Sequence, residues 1–164
     1  MMMRVEYRLA TVDDLERLWD MNIADNPDDA RWVRWKAEYI GYHQSGRSAT
    51  FAVVIDGVPV GEGTLLFSPE CKAISGRLAL ADSRTTANVN ALRIRKEHEG
   101  QGHISTLVRM MERYAAERGY HNLTIGVDAS ETRNLAIYLH WGYTAYVMSE
   151  TEDGELVLYY RKSI

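Results

Sequence analysis

The chain has one cysteine, Cys71, in 164 residues. An internal disulfide framework is thereby excluded, the fold must rest on apolar packing, and a reducing, cytoplasmic setting is expected. Long apolar runs are missing too. Phe51–Ile55 is about as long as they become, far short of the roughly 20 residues a membrane-spanning helix needs. Met1 to Arg4 leads into no apolar signal core, so neither export nor a membrane partner is expected. Positive charge is also in short supply. With 19 Lys and Arg against 23 Asp and Glu, the net charge is −4 and no basic block is present, which argues against nucleic acid as the main partner. No repeat or low-complexity segment occurs. What remains is 46% hydrophobic and 26% charged, the composition of a globular protein, at a length that predicts one domain over residues 1–164.

The most informative stretch runs from Ala91 to Tyr143. Ile104, Leu107, Val108, Met111 and Ala115 recur at helical spacing, with Arg109, Glu112, Arg113 and Glu117 on the opposite side and Gly119 as a left-handed stop. Val89 to Ile94 is rich in strand formers and leads into Glu99-Gly100-Gln101-Gly102-His103-Ile104-Ser105. A strand that enters a glycine turn at a helix start makes an anion site, because the first amides lack partners and the helix dipole adds positive charge. A P-loop is excluded, since His103 and Ile104 stand where it needs Lys and Ser or Thr. A dinucleotide fingerprint fits poorly, with Ser105 in place of its third glycine.

The stretch resembles the GNAT superfamily of N-acetyltransferases. Leu92 and Ile94 in the strand, the Gly100/Gly102 turn, Leu123-Thr124-Ile125-Gly126-Val127 and Tyr138-Leu139-His140-Trp141-Gly142-Tyr143 follow the family's order and spacing. Two positions of the turn depart from its pattern: Glu99 stands where Gln or Arg is usual, and Ile104 where Gly or Ala closes it. The resemblance implies acetyl-CoA as cosubstrate, an amine acceptor, and a cofactor site at Leu92, Ile94, Gly100, Gln101, Gly102, His103, Ile104 and Ser105. Many members carry an Asn seven residues before the Tyr; here that position is Glu131, and Asn134 follows one helical turn on. Tyr138 matches the family's general acid, and the plain alternative is a core tyrosine three residues after Leu135. For the base, Glu62 is the best carboxylate by position, with water relayed to bulk as the alternative. His103 is expected to offer its backbone N–H. No metal site is expected.

The remaining elements complete the pattern. Val5–Leu9 reads as a strand, and Thr11-Val12-Asp13-Asp14 as a capped start of a helix to about Asn22. A second helix is expected from Asp28 to about Ser45, with Trp32, Trp35 and Tyr39 on one stripe. Asp25, Asp28 and Asp29 would suit a cationic amine acceptor, with Trp32 or Trp35 stacking on it; a solvated helix start and core aromatics form the plainer reading. Phe51–Ile55 and Val60–Phe67 make a hairpin around Asp56-Gly57. Residues 68–86 read as a long loop with a helical turn near Leu78–Ala81, open to part of the acceptor site. Within it Cys71 has no activating neighbours in the sequence.

In the strand Asn88–Arg95 the apolar residues sit on odd numbers up to Ala91 and on even numbers from Leu92. A β-bulge at Ala91-Leu92 would restore one buried face. Strands at Thr144–Met148 and Leu156–Tyr160 are expected to pair antiparallel around Glu152-Asp153-Gly154. The whole order, β-α-α-β-β-β-α-β-α-β-β, predicts an α/β GNAT (acyl-CoA N-acyltransferase) fold: a mixed, mostly antiparallel sheet with a splayed central strand pair and helices on both faces. Two functions remain open: an acetyl-CoA-dependent N-acetyltransferase acting on an amine of a small molecule or protein, and an acyl-CoA-binding sensor without turnover. The sequence leaves a homodimer open as well.

Overall fold

The computed structural model describes residues 2–164. Its elements are β1 (Val5–Leu9), α1 (Val12–Asp25), α2 (Arg31–Ser45), β2 (Ser48–Ile55), β3 (Val58–Leu66), β4 (Thr86–Ile94), a 3-10 turn (Lys96–His98), α3 (His103–Glu117), β5 (Asn122–Asp128), α4 (Thr132–His140), β6 (Ala145–Glu152) and β7 (Glu155–Ser163). The strands follow the order β1-β2-β3-β4-β5-β7-β6. The pairs β1/β2, β5/β7 and β6/β7 are antiparallel, whereas β4/β5 is parallel. This is the mixed sheet expected from the element order.

The chain divides into two compact units, one holding residues up to Leu65 with Ala91–Met111, the other Leu66–Asn90 with Glu112–Ile164. In the first unit, α1 starts with the predicted cap. The Thr11 hydroxyl accepts from the Asp14 amide at 3.0 Å and the Asp14 carboxylate accepts from the Thr11 amide at 3.0 Å. Helix α1 continues to Asp25, beyond Asn22. Helix α2 starts at Arg31 instead of Asp28, because Asp28 and Asp29 are spent in the turn before it, where the Asp29 carboxylate accepts from the Arg31 amide at 3.1 Å.

The hairpin turns at Asp56 and Gly57, both at positive φ (50° and 80°), the geometry of a type I′ turn. Strand β3 then shows two different faces. On one, a Cβ at Gly63 would lie 2.8 Å from Leu92 Cδ2 and from Met111 Sδ, and one at Gly61 would lie 3.2 Å from Ile94 Cγ1. On the other lie Glu62 and Thr64, the latter hydrogen-bonded to Thr50 at 2.8 Å. Small residues let α3 and the end of β4 close on the first face, and α1 covers the second through Asn22.

Ala91 has φ +54° in the middle of β4. A left-handed alanine breaks the extended conformation at the residue where the apolar alternation changes phase, the position expected for the bulge.

In the second unit the residues between β3 and β4 are held firmly. Cys71, Ile74, Leu80 and Ala81 are all buried. Arg77 donates to the carbonyls of Ala73 at 2.7 Å and Ile74 at 2.9 Å, pairs with Glu150, and lies 5.1 Å over the Tyr159 ring. The predicted helical turn is a short turn in which Leu80 N donates to Arg77 O at 2.9 Å. Strand β4 begins at Thr86, two residues before Asn88, because the Asp82 carboxylate gathers the amides of Arg84, Thr85 and Thr86 at 2.8–2.9 Å. Burial alone would raise the Asp82 carboxyl, but these amides win and hold it at about 2. Pairing of β4 with β5 runs from Thr86/Asn122 to Val89/Ile125.

Strands β6 and β7 extend beyond the predicted spans to both sides of the Asp153-Gly154 turn. On β5, Gly126 faces Tyr159 of β7, whose ring carbon Cε1 would be 2.7 Å from a Cβ there. That ring is fixed by a hydroxyl hydrogen bond to Glu152 and by Arg77. Gly126→Ala is therefore expected to lower stability by about 1–3 kcal/mol in urea denaturation, as overpacking against a held ring does; an unchanged midpoint would show that the ring moves freely.

Candidate functional site

The glycine turn lies in the first unit. Gly100 and Gly102 have φ of 72° and 81°, and a Cβ at either would meet nothing within 4 Å, so the demand for glycine is conformational. Thr106 N donates to Gly102 O at 3.0 Å as the first bond into α3. The amides of His103, Ile104 and Ser105 precede that bond in the first turn of α3, where helix amides lack intrahelical partners and the dipole is positive.

His103 has turned its ring inward. It is 8% exposed, with Nδ1 2.8 Å from the Tyr7 hydroxyl and Nε2 3.2 Å from Gln101 Oε1. The side chain thus anchors the turn to β1 through Tyr7. Around the turn, Thr106 Oγ1 donates to Gly102 O at 2.9 Å and Arg109 donates to Ser105 Oγ at 2.9 Å. Tyr7, Thr106 and Arg109 were not singled out by sequence. Arg109 read as part of the wet helix face, and its place one turn after Ser105 was the available signal.

Leu92 and Ile94 turn toward Gly63 and Gly61. Between them Arg93 takes the opposite side, where Nη2 donates to Glu62 Oε1 at 3.2 Å. The guanidinium carbon lies 5.0 Å from the Trp19 ring centre and 5.1 Å from that of Trp32. Glu62 is 1% exposed and its Oε2 accepts from Asn22 Nδ2 at 2.9 Å, so both of its oxygens are engaged. Stacking on two indoles and a carboxylate partner offset the cost of withdrawing the guanidinium from water. The aromatic stripe of α2 continues from this cluster, with Trp32–Trp35 at 5.1 Å and Trp19–Tyr39 at 5.2 Å.

Two of the three carboxylates offered for a cationic acceptor are paired with arginines. Asp25 pairs with Arg95 at 2.7 Å, and Asp29 pairs with Arg31 at 2.8 Å, which holds its carboxyl at about 2. Asp28 is exposed.

Asn134 and Tyr138 lie on α4 in the second unit. The Asn134 amide donates to Glu131 at 2.5 Å. The Tyr138 ring lies 5.6 Å from that of Trp141. Burial, with Glu131 adding to it, raises the Tyr138 hydroxyl above the usual phenol value, so it carries its proton at neutral pH. Among the described residues no cluster of His, Cys, Asp and Glu could hold a metal ion, and no helix is long and apolar enough to cross a membrane.

The chain matches the acetyltransferase (GNAT) family over residues 12–143 and belongs to that family. A ribosomal-protein-alanine N-acetyltransferase from Brucella melitensis has a similar structure, with a TM-score of 0.73 at 15% identity, covering 97% of this chain and 99% of that one. Two further similar structures were solved with ligand. PaiA N-acetyltransferase from Thermoplasma acidophilum, in complex with coenzyme A, has a TM-score of 0.65 at 16% identity over 98% of this chain and 99% of that one. YncA, a putative acetyltransferase from Salmonella typhimurium with its cofactor acetyl-CoA, has a TM-score of 0.71 at 11% identity over 98% and 94%. No curated protein matches by sequence.

Removing Glu62 would leave the Arg93 guanidinium against two indoles without its carboxylate. Glu62→Ala is expected to cost about 2–3 kcal/mol in chemical denaturation, below the usual 3–5 for a fully buried pair because the Arg93 side chain is 30% exposed. A loss under about 0.5 kcal/mol would mean that the pair does not hold the cluster.

Proposed function

We propose that the chain, acting as one domain, is an N-acetyltransferase that moves an acetyl group from acetyl-CoA to a primary amine, in the cytoplasm. The observation that carries the reading is the turn from Gly100 to Ser105, a strand-to-helix anion site with two left-handed glycines in a chain of this family. In it the amides of Gly102, His103, Ile104 and Ser105 bind the diphosphate, and the side chains of Gln101 and His103 hold the turn in shape. Leu92 and Ile94 offer backbone groups to the pantetheine arm, and Asn134 gives a polar contact from α4.

Acetyl-CoA supplies the acetyl group already activated as a thioester. The amine nitrogen forms a C–N bond to the carbonyl carbon, the C–S bond breaks, and the nitrogen loses one proton. Tyr138 gives its proton to the departing sulfur and regains one from solvent; a phenol raised by burial is fully protonated for that task. Glu62 serves as the counter-charge of Arg93, and the amine proton leaves to water, since neither Glu62 oxygen is free or exposed.

Two measurements test the reading. Calorimetry is expected to find coenzyme A affinity, weakened by Gly102→Ala because alanine is strained at φ +81°. Thiol release from acetyl-CoA is expected with members of an amine panel, and Tyr138→Phe should lower kcat by about a hundredfold or more with coenzyme A affinity retained. Affinity without thiol release for any amine would make the chain an acyl-CoA sensor. No affinity at all would end both readings.

A further inference from the structure

We infer that the acceptor carries a carboxylate beside its amine, and that Arg93 is the residue that reads it. The inference rests on the acetyl-transfer reading and names its acceptor class. The first ground is the valence left at the cluster. Arg93 has five N–H donors, of which one contact, Nη2 to Glu62, is made to protein. Its Nε is buried without an acceptor, and so is Nε1 of Trp19, whose ring stacks on the same guanidinium. Buried donors without partners are uncommon and costly, and two of them meet in this one cluster.

The second ground is sign. The neighbouring carboxylates are already answered by arginines: Glu62 by Arg93, Asp25 by Arg95, Asp29 by Arg31. What the cluster has to spare is therefore hydrogen-bond donors, which suit a group that only accepts. A carboxylate is such a group, and it matches the planar fork of a guanidinium.

The third ground is geometry. Arg93 packs against Trp19 and Trp32, its guanidinium carbon 5.0 and 5.1 Å from their ring centres, and its Glu62 partner is fixed in turn by Asn22. Its side chain still keeps 30% of its surface open. A guanidinium already held against two indoles and a carboxylate, with part of its side chain open, binds an anion without first having to be ordered.

The test compares matched acceptors on the wild-type protein: a panel of amino acids, the same amino acids as C-terminal amides, and the corresponding decarboxylated amines. Thiol release is expected to show kcat/KM about tenfold or more higher for the acids, the worth of a charge-assisted hydrogen bond. In Arg93→Met that preference should vanish through KM, and Arg93→Lys, which keeps the charge without the fork, should restore part of it. Should Arg93→Met fail to fold with Glu62 left unpaired, the double variant Glu62→Gln/Arg93→Met removes both charges and takes its place. Equal rates for acid and amide on the wild type, or a preference that survives the loss of Arg93, would overturn the inference while acetyl transfer stands. If no amine releases thiol, calorimetry with the amino acids and their amides decides. Tighter binding of the acid, lost in the Arg93 variants, upholds the subsite. Equal binding of acid and amide, or none of either, rejects it.

Discussion

The structure turns on one backbone angle, φ +54° at Ala91. An alanine in the left-handed region costs on the order of 1 kcal/mol, and it persists only where the surroundings outweigh that cost. Its effect is on side-chain direction. In an unbroken strand every second residue would share a face from Thr86 to Ile94; with the interruption, the residues after Ala91 change phase. Leu92 and Ile94 meet the glycines of β3, and Arg93 is delivered to Glu62, Trp19 and Trp32. One torsion thus sorts apolar residues to one side of β3 and the charged cluster to the other.

Local signals carried much of this in the sequence. The αβ order, the capping box at Thr11, the two-residue hairpin turns and the amphipathic α3 each depend on near neighbours, and near neighbours can be read from a single chain. The glycine turn belongs with them, since positive φ is needed there whatever surrounds it. The phase change at Ala91 was legible for the same reason, as a fault in a period of two.

The starts of α2 and β4 were less legible, because Asp29 and Asp82 draw nearby amides into turns that override simple periodicity. The charged cluster was hidden more deeply. Glu62 was found as a carboxylate in a promising strand, but its partners come from positions 22 and 93, and Trp32 reads either as stacking on a cationic acceptor or as core. Nothing in a sequence period says that an indole will lie against a guanidinium; that follows from where the β4 interruption sends Arg93.

Charge at this site also differs in kind from charge over the chain. The protein carries a net −4, and the acidic run at Asp25, Asp28 and Asp29 suggested attraction for a cation. Formal charge counts groups, whereas recognition depends on which groups still have bonding capacity after folding. Asp25 and Asp29 have spent theirs on Arg95 and Arg31. Arg93 has spent only part of its own, and the low-dielectric setting beside two indoles strengthens what remains. An acidic chain can in this way present a local site of opposite preference, because burial selects which charges are compensated and the backbone at Ala91 selects which one is not fully so.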